Sequence, residues 1–214
     1  MKVFSEMPNP QSLRSSTMKL VRIPVYAFFL MAMLATAAEM KSGVFEPARM
    51  APDFSLAGSN GEQIKLSEQH GKVVVLGFGF SNCANICPMT LANLAQVYKN
   101  LGELADEVQV FYVTVDPARD SAERLHEYIT YFNPNFIGLT GSAENLSAVR
   151  DSYGITATRE EGKDGDYEVH HSTYLYLIDR QGLLRALVPF GQSAEDVASD
   201  IKVLLQEEVV AAAS

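Results

Sequence analysis

The sequence predicts an α/β fold with a central mixed sheet flanked by helices and with an N-terminal β-hairpin. Two observations carry this prediction. The runs 73–78 and 108–115 are apolar on both faces, which is typical of strands covered by helices on both sides. Each run is followed by a segment with apolar residues at helical spacing, and strands that alternate with helices are typical of α/β folds.

Residues 1–38 are predicted to be a signal peptide or a membrane anchor. The uncharged run 23–34 follows scattered basic residues and ends before Ala35-Thr36-Ala37, which has the small-x-small form of a cleavage site. The run is shorter than the ~20 residues of a membrane-spanning helix. Its basic flank favours export of the chain that follows. Cleavage and retention as an anchor both stay open.

The folded domain is predicted to occupy 51–210, after a linker at 39–50 that contains a glycine and a proline without a periodic pattern. The domain opens with a hairpin, because Asn60-Gly61 lies between the short alternating runs 53–56 and 63–66.

The strand 73–78 is followed by the two cysteines and then by a helix that reaches about Leu104. Pro88 fits the first turn of this helix, where its missing N–H costs nothing. The next strand is predicted at 108–115. The buried stripe of the helix is predicted from apolar residues on one face: Cys87, Leu91, Leu94, Tyr98, Leu101 and Ala105.

Capping residues mark the next two helices. Asp120 is predicted to cap the first, which ends before the proline of 133–135. A short strand follows at 136–139. Ser142 is predicted to cap the second helix, and Gly154 ends it.

The last part of the chain is predicted to contain a hairpin and a helix. Residues 155–158 are a strand candidate, and 160–166 are polar and glycine-rich, which is typical of a loop. The strands 174–178 and 183–188 form the hairpin, and Ser193 caps the last helix.

The charge of the chain excludes one class of function. The formal net charge is −9, and residues 38–214 carry 13 basic against 25 acidic residues. Nucleic-acid binding is therefore not expected, because it requires a basic surface. An acidic surface suits an encounter with a basic partner, although it also serves solubility.

Cys83 and Cys87 are the only cysteines of the chain. They lie where a strand ends and a helix begins, and a helix N-terminus favours thiolate over thiol. Three interpretations stay open for the pair: two small buried hydrophobic side chains, a redox dithiol, or a soft-metal site. Position alone does not separate the last two.

Two of the four histidines, His170 and His171, stand together at the start of a predicted strand. Neighbouring residues on a strand point to opposite faces, so only one of them can turn toward the cysteines. Two thiolates and one imidazole form a soft donor set that suits copper better than calcium or magnesium. A structural zinc site would need a fourth ligand, and the sequence offers no obvious one.

Four segments resemble the Sco/SenC family, in the order in which the family has them. They are Cys-x-x-x-Cys-Pro at 83–88, Asp-Pro-x-Arg-Asp at 116–120, Phe-Ile-Gly-Leu-Thr-Gly at 136–141, and the histidine segment with its trailing Tyr-Leu-Ile-Asp at 171–179. The resemblance extends from about residue 51 to 205.

The resemblance implies a thioredoxin-like, copper-binding assembly factor of cytochrome c oxidase. Copper is then expected on Cys83, Cys87 and His171, with the two cysteines as a redox-active pair. The implied partners are the copper-bearing subunit of the oxidase and other copper chaperones. The implied location is the periplasmic side of a bacterial cell envelope, with the chain anchored in the inner membrane or exported.

Two departures from the family pattern affect the metal site. Asn82 and Asn85 stand where the family usually has a histidine and an aspartate, and His170 stands where it usually has an aspartate. They remove negative charge near the metal and add an imidazole. Asp116 either orients a ligand or partner or forms a turn before Pro117.

Two other functions compete with the metallochaperone. One is a thiol–disulfide oxidoreductase without a copper role, and the other is a copper buffer that only binds the metal. Peroxiredoxin chemistry fits less well, because the cysteines form a Cys-x-x-x-Cys-Pro motif rather than a lone peroxidatic pattern.

Overall fold

An eight-stranded mixed sheet forms the centre of the computed structural model, which describes residues 39–162 and 166–207. The described strands are, in chain order, β1 (Gly43–Met50), β2 (Ser55–Gly58), β3 (Gln63–Lys65), β4 (Val73–Gly79), β5 (Val108–Thr114), β6 (Ile137–Thr140), β7 (Ala157–Glu161), β8 (Tyr167–His171), β9 (Leu175–Ile178) and β10 (Leu183–Val188). The helices are α1 (Ile86–Leu101), α2 (Ala122–Thr130), α3 (Ala143–Ser152) and α4 (Ala194–Gln206). Short 3₁₀ helices span Leu66–Gln69 and Gly102–Glu107.

The strand order of the large sheet is β1-β10-β9-β4-β5-β6-β2-β3. The pairs β4–β5 and β5–β6 are parallel, and the other pairs are antiparallel. The predicted mixed sheet is therefore confirmed. The predicted hairpin of β2 and β3 is also confirmed, and it forms one edge of the sheet.

The core lies on both faces of the central strands. Every residue of β4 is buried, and successive side chains of a strand point to opposite faces. Helices α1 and α4 pack against each other, and α2 packs on β6. Gly138 permits this last contact, because a Cβ there would lie 2.8 Å from the Ile129 side chain. The prediction that helices cover both faces is confirmed.

The start of α2 differs from the prediction. Ser121, not Asp120, is the N-cap, and its hydroxyl accepts a hydrogen bond from the Arg124 N–H at 3.1 Å. Asp120 is buried and turns inward instead. The predicted caps Ser142 and Ser193 are confirmed, each accepting an N–H three residues on. Either of these two adjacent polar residues is of a type that can cap a helix. Because the Asp120 side chain is buried, Ser121 is the one that caps α2.

The segment 39–50, predicted to be a linker, contains β1, and this corrects the start of the folded part of the chain. Strand β1 pairs antiparallel with β10, with a register shift between Val44 and Arg49. Nearly all its side chains are exposed. An edge strand held by its backbone needs no apolar alternation, so the sequence carried no strand signal there.

The region between α3 and β9 also corrects the prediction. Strand β7 runs to Glu161, inside the predicted loop 160–166, and pairs antiparallel with β8 as a separate two-stranded sheet. Most side chains of β7 are exposed and none of β8 is buried, so neither strand has the buried apolar face on which strand prediction depends. Helix α1 is likewise shorter than predicted, because a 3₁₀ helix replaces its last turn.

The predicted signal peptide or anchor, residues 1–38, lies outside the described residues. Among the residues that the structure does describe, none of the helices has the length and hydropathy needed to cross a membrane.

Candidate metal centre

The two cysteines lie on either side of the start of α1, at the carboxyl end of β4. Cys87 lies in the first turn of the helix and is buried. Pro88 lies in the same turn, as predicted. Cys83 lies in the preceding turn and is half-buried. Both are free thiols. An open cleft of about 470 Å³ borders Cys83 but not Cys87, so a partner can approach Cys83 first.

The sulfur of Cys83 lies near the free N–H groups at the start of α1. The N-cap residue of α1, Asn85, makes no side-chain capping bond. The backbone N–H groups of Cys87, Asn85 and Ile86 instead lie near the Cys83 sulfur. Partial burial of Cys83 raises its pKa, but these N–H groups outweigh the burial, so the pKa falls below its ordinary value.

Cys87 has the opposite environment. Burial raises the pKa of its thiol to about 12, although the Tyr112 hydroxyl and the Phe80 N–H are within hydrogen-bonding reach of the sulfur. Tyr112 is a fully buried residue of β5, and a Cβ at Gly79 would lie 2.0 Å from its hydroxyl oxygen. The glycine at the end of β4 therefore makes room for the phenol. Nothing in the local sequence indicated that Tyr112 contacts the site.

His171, the last residue of β8, points its ring toward Cys87. Its Nε2 lies 3.7 Å from the Cys87 sulfur, and its Nδ1 lies 2.8 Å from the Ser172 carbonyl oxygen. Because a carbonyl only accepts, Nδ1 carries the proton of the neutral ring and the Nε2 lone pair faces the thiol. Burial of the ring lowers the pKa of His171, which favours this neutral form.

The neighbouring His170 has a different environment. Its side chain is 58% exposed, and its Nε2 lies 3.3 Å from a carboxylate oxygen of Glu160 on β7. It borders the outer part of the Cys83 cleft. The structure thus brings His171, rather than His170, into contact with Cys87.

The donors at this point are two thiol sulfurs and one imidazole nitrogen. Cys87 contacts His171, and the Cys87 N–H contacts the Cys83 sulfur. As placed, no three such side chains in the part of the chain that the structure describes are close enough together to enclose an ion. The chemistry of the set fits a soft metal, because thiolates and a neutral imidazole are the donors that copper prefers.

Two buried aspartates near the site make side-chain contacts that the sequence did not predict. The Asp120 carboxylate accepts hydrogen bonds from the Ser81 N–H at 3.1 Å and from the Thr114 hydroxyl at 2.6 Å. It thereby joins the carboxyl ends of β4 and β5. Asp116 is also buried, and it binds Arg119 and Tyr167. The Asp-Pro-x-Arg-Asp motif marked both positions, but only tertiary contacts assign their partners.

Comparison with known proteins points to one family. The family model described as SCO1/SenC matches residues 43–206. A SCO2-like protein of Rickettsia felis is 33% identical over 166 residues, covering 75% of this chain and 81% of the relative. The residues matched by the family model include the whole site described above.

Two solved structures are similar over nearly their whole lengths. Copper-bound ScoI of Bradyrhizobium japonicum has a TM-score of 0.68 at 30% identity, covering 73% of this chain and 99% of that one. Apo Sco1 of Thermus thermophilus has a TM-score of 0.71 at 30% identity, covering 78% and 97%. The thioredoxin-like fold that the sequence resemblance implied is thereby confirmed.

Proposed function

Because this chain belongs to the SCO1/SenC family, we propose that it binds copper through Cys83, Cys87 and His171 and supplies it during assembly of cytochrome c oxidase. The observation that carries the proposal is the contact between the Cys87 sulfur and the unprotonated Nε2 of His171, 3.7 Å apart. A thiol and an imidazole lone pair that face each other beside a second thiol form a soft donor set.

The three donors differ in what must happen before they bind a metal. His171 is already neutral, because burial lowers its pKa. Cys83 loses its proton more readily than an ordinary cysteine, because nearby helix N–H groups lower its pKa despite its partial burial. Cys87 keeps its proton near neutral pH, so binding there displaces it. Bound copper supplies the positive charge that stabilises the buried Cys87 thiolate.

The proposed recipient is the binuclear copper site of the oxidase, with other copper chaperones as further partners. Support comes from family membership and from the copper-bound similar structure. The open cleft at Cys83 gives a partner access to one sulfur while Cys87 stays covered. The proposed location is the periplasmic side of a bacterial cell envelope, which fits the export signal predicted at 1–38.

Copper binding by the reduced full-length chain tests this function. We expect one copper per chain, a sulfur-to-copper charge-transfer band with copper(II), and retention of copper(I) against a chelator. A variant in which both cysteines are serine is the control and should show neither signal. A reduced wild-type chain that gives no band and retains no copper(I) would contradict the proposal.

A second function, thiol–disulfide exchange, is favoured by the asymmetry of the two thiols. A half-buried thiol that borders an open cleft and has a lowered pKa suits the attacking role, and a buried neighbour suits the resolving role. Cys83 thiolate would attack a partner disulfide, forming a mixed disulfide and releasing one partner thiolate. Cys87 would lose its proton, attack the Cys83 sulfur and release the second thiolate. The partner disulfide is then reduced by two electrons and the cysteine pair is oxidised by two.

A further inference from the structure

The third proposed ligand lies on an element with little support of its own. Strands β7 and β8 pair with each other and, among the described residues, with no strand of the large sheet. Most of their side chains are exposed. An isolated two-stranded hairpin is marginally stable in water. The position of His171 at the end of β8 therefore depends on what holds the hairpin against the body.

A group of side chains at the other end of β8 supplies that attachment. The Tyr167 hydroxyl donates a hydrogen bond to the buried carboxylate of Asp116 at 2.7 Å. The Arg119 side chain pairs with the same carboxylate and donates to the Tyr167 carbonyl oxygen at 3.1 Å. Its guanidinium also lies over the Tyr167 ring, 3.8 Å from the centroid. Tyr167 is thus held by three different contacts with the turn that follows β5.

The turn that holds Tyr167 is itself fixed. The Thr114 hydroxyl accepts the Asp116 N–H at 3.0 Å, and the Asp116 carbonyl oxygen accepts the N–H groups of Arg119 and Asp120. Asp116 is 5% exposed, so its carboxylate depends on the Arg119 side chain and the Tyr167 hydroxyl for its hydrogen bonds. A buried carboxylate on a hydrogen-bonded turn can position a weakly supported hairpin because its bonds are costly to break.

The same arginine also extends toward the metal centre. The Arg119 guanidinium lies 5.7 Å from the centroid of the Phe80 ring. The Phe80 ring in turn meets the His171 ring edge-on, with centroids 5.8 Å apart and an interplanar angle of 76°. One chain of contacts therefore runs from Asp116 through Arg119 and Phe80 to His171.

We propose that Asp116, Arg119 and Tyr167 form a clamp that docks the β7–β8 hairpin and thereby positions His171 for the metal. This inference rests on the proposed function only where its test measures copper binding. The three residues are positioning residues, because none of them touches the proposed ligand atoms. When the clamp opens, the fraction of chains with His171 in place falls, and the apparent copper affinity falls by the same factor.

Tyr167→Phe tests the clamp, because it removes one hydroxyl and keeps the ring. In the metal-free protein we expect the amide hydrogens of β8 to exchange faster, by up to about tenfold, the factor by which losing a hydrogen bond to a charged group weakens the clamp. Amides of β4 should be unchanged. Tyr131→Phe is the matched control, since Tyr131 is an exposed tyrosine outside the clamp and should leave β8 unchanged.

Copper affinity in two backgrounds then shows whether the clamp acts through His171. Because an isolated hairpin is only marginally stable, Tyr167→Phe should lower the docked fraction, and with it copper(I) affinity, by up to about tenfold in the wild-type chain and by less than about twofold in His171→Ala. An equal loss in both backgrounds, or unchanged exchange of β8, would overturn the clamp. If the wild-type chain binds no copper, the proposed function fails. The amide hydrogen exchange rates of β8 then show by themselves whether the clamp docks the hairpin.

Discussion

At the scale of single residues, the two cysteines differ because their surroundings differ. Helix N–H groups lower the pKa of Cys83, and burial raises that of Cys87. The thiolate is the reactive form and its fraction grows with pH, so a lower pKa moves reactivity to lower pH. We expect iodoacetamide to modify Cys83 first, and the pH midpoint of its reaction should lie below the ordinary cysteine pKa. Cys87 should react only at pH values above the ordinary cysteine pKa. Mass spectrometry of alkylated peptides across a pH series measures both midpoints.

The same alkylation experiment separates the two proposed functions. One equivalent of copper(I) should protect both cysteines, because coordinated sulfur is no longer a free nucleophile. A plain dithiol oxidoreductase would show the difference between the thiols without this protection. If copper leaves both rates unchanged while the chain still reduces a disulfide substrate, the oxidoreductase function is favoured.

The two histidines should respond differently to substitution. His171→Ala removes the Nε2 that faces Cys87, and we expect copper affinity to fall by at least about tenfold, the lower bound for losing even an outer-shell partner. His170→Ala removes an exposed ring paired with Glu160 and should change affinity only mildly. Competition with a copper(I) chelator measures both. Equal losses would make His170 a ligand. Circular dichroism should show both variants folded.

At the scale of the elements, Asp120 joins the ends of two central strands. Its carboxylate accepts bonds from the Ser81 backbone N–H and hydroxyl and from the Thr114 hydroxyl, and all are buried. Asp120→Ala leaves these donors without their acceptor, so we expect the free energy of unfolding to fall by about 3 kcal/mol. Urea denaturation measures the change. Asp106→Ala, at an exposed aspartate, is the control and should cost less than about 0.5 kcal/mol.

At the scale of the whole molecule, the folded part begins before β1. The buried Asp200 of α4 accepts hydrogen bonds from the Lys41 N–H at 2.6 Å and from the Ser42 N–H at 2.8 Å. A fragment 51–214 loses β1 and leaves this carboxylate without those donors. We expect it to be less stable than a fragment 39–214 by about 3 kcal/mol or more. Urea denaturation of both fragments measures this, and equal stability would show that β1 is dispensable.

Much of the fold could be predicted because its signals are local. The apolar run of β4, the caps Ser142 and Ser193 and the turn at Asn60-Gly61 each depend on residues within a few positions of one another. Periodicity, capping and turn chemistry act over that range. The sequence likewise identified Cys83, Cys87 and the pair His170-His171 as candidates, because rare residue types stood together at element ends, and the family resemblance then selected His171.

The tertiary structure alone decided what depends on distant partners. Strand β1 and the β7–β8 hairpin carry exposed side chains, so only backbone pairing and the Tyr167 contacts identify them. Asp120 looks like a helix cap until burial turns it toward β4 and β5. The contact of Tyr112 with Cys87 joins residues 25 positions apart in sequence, and a buried strand tyrosine carries no local sign of its neighbour. Local sequence specifies elements, whereas the environment of each thiol follows from how those elements pack.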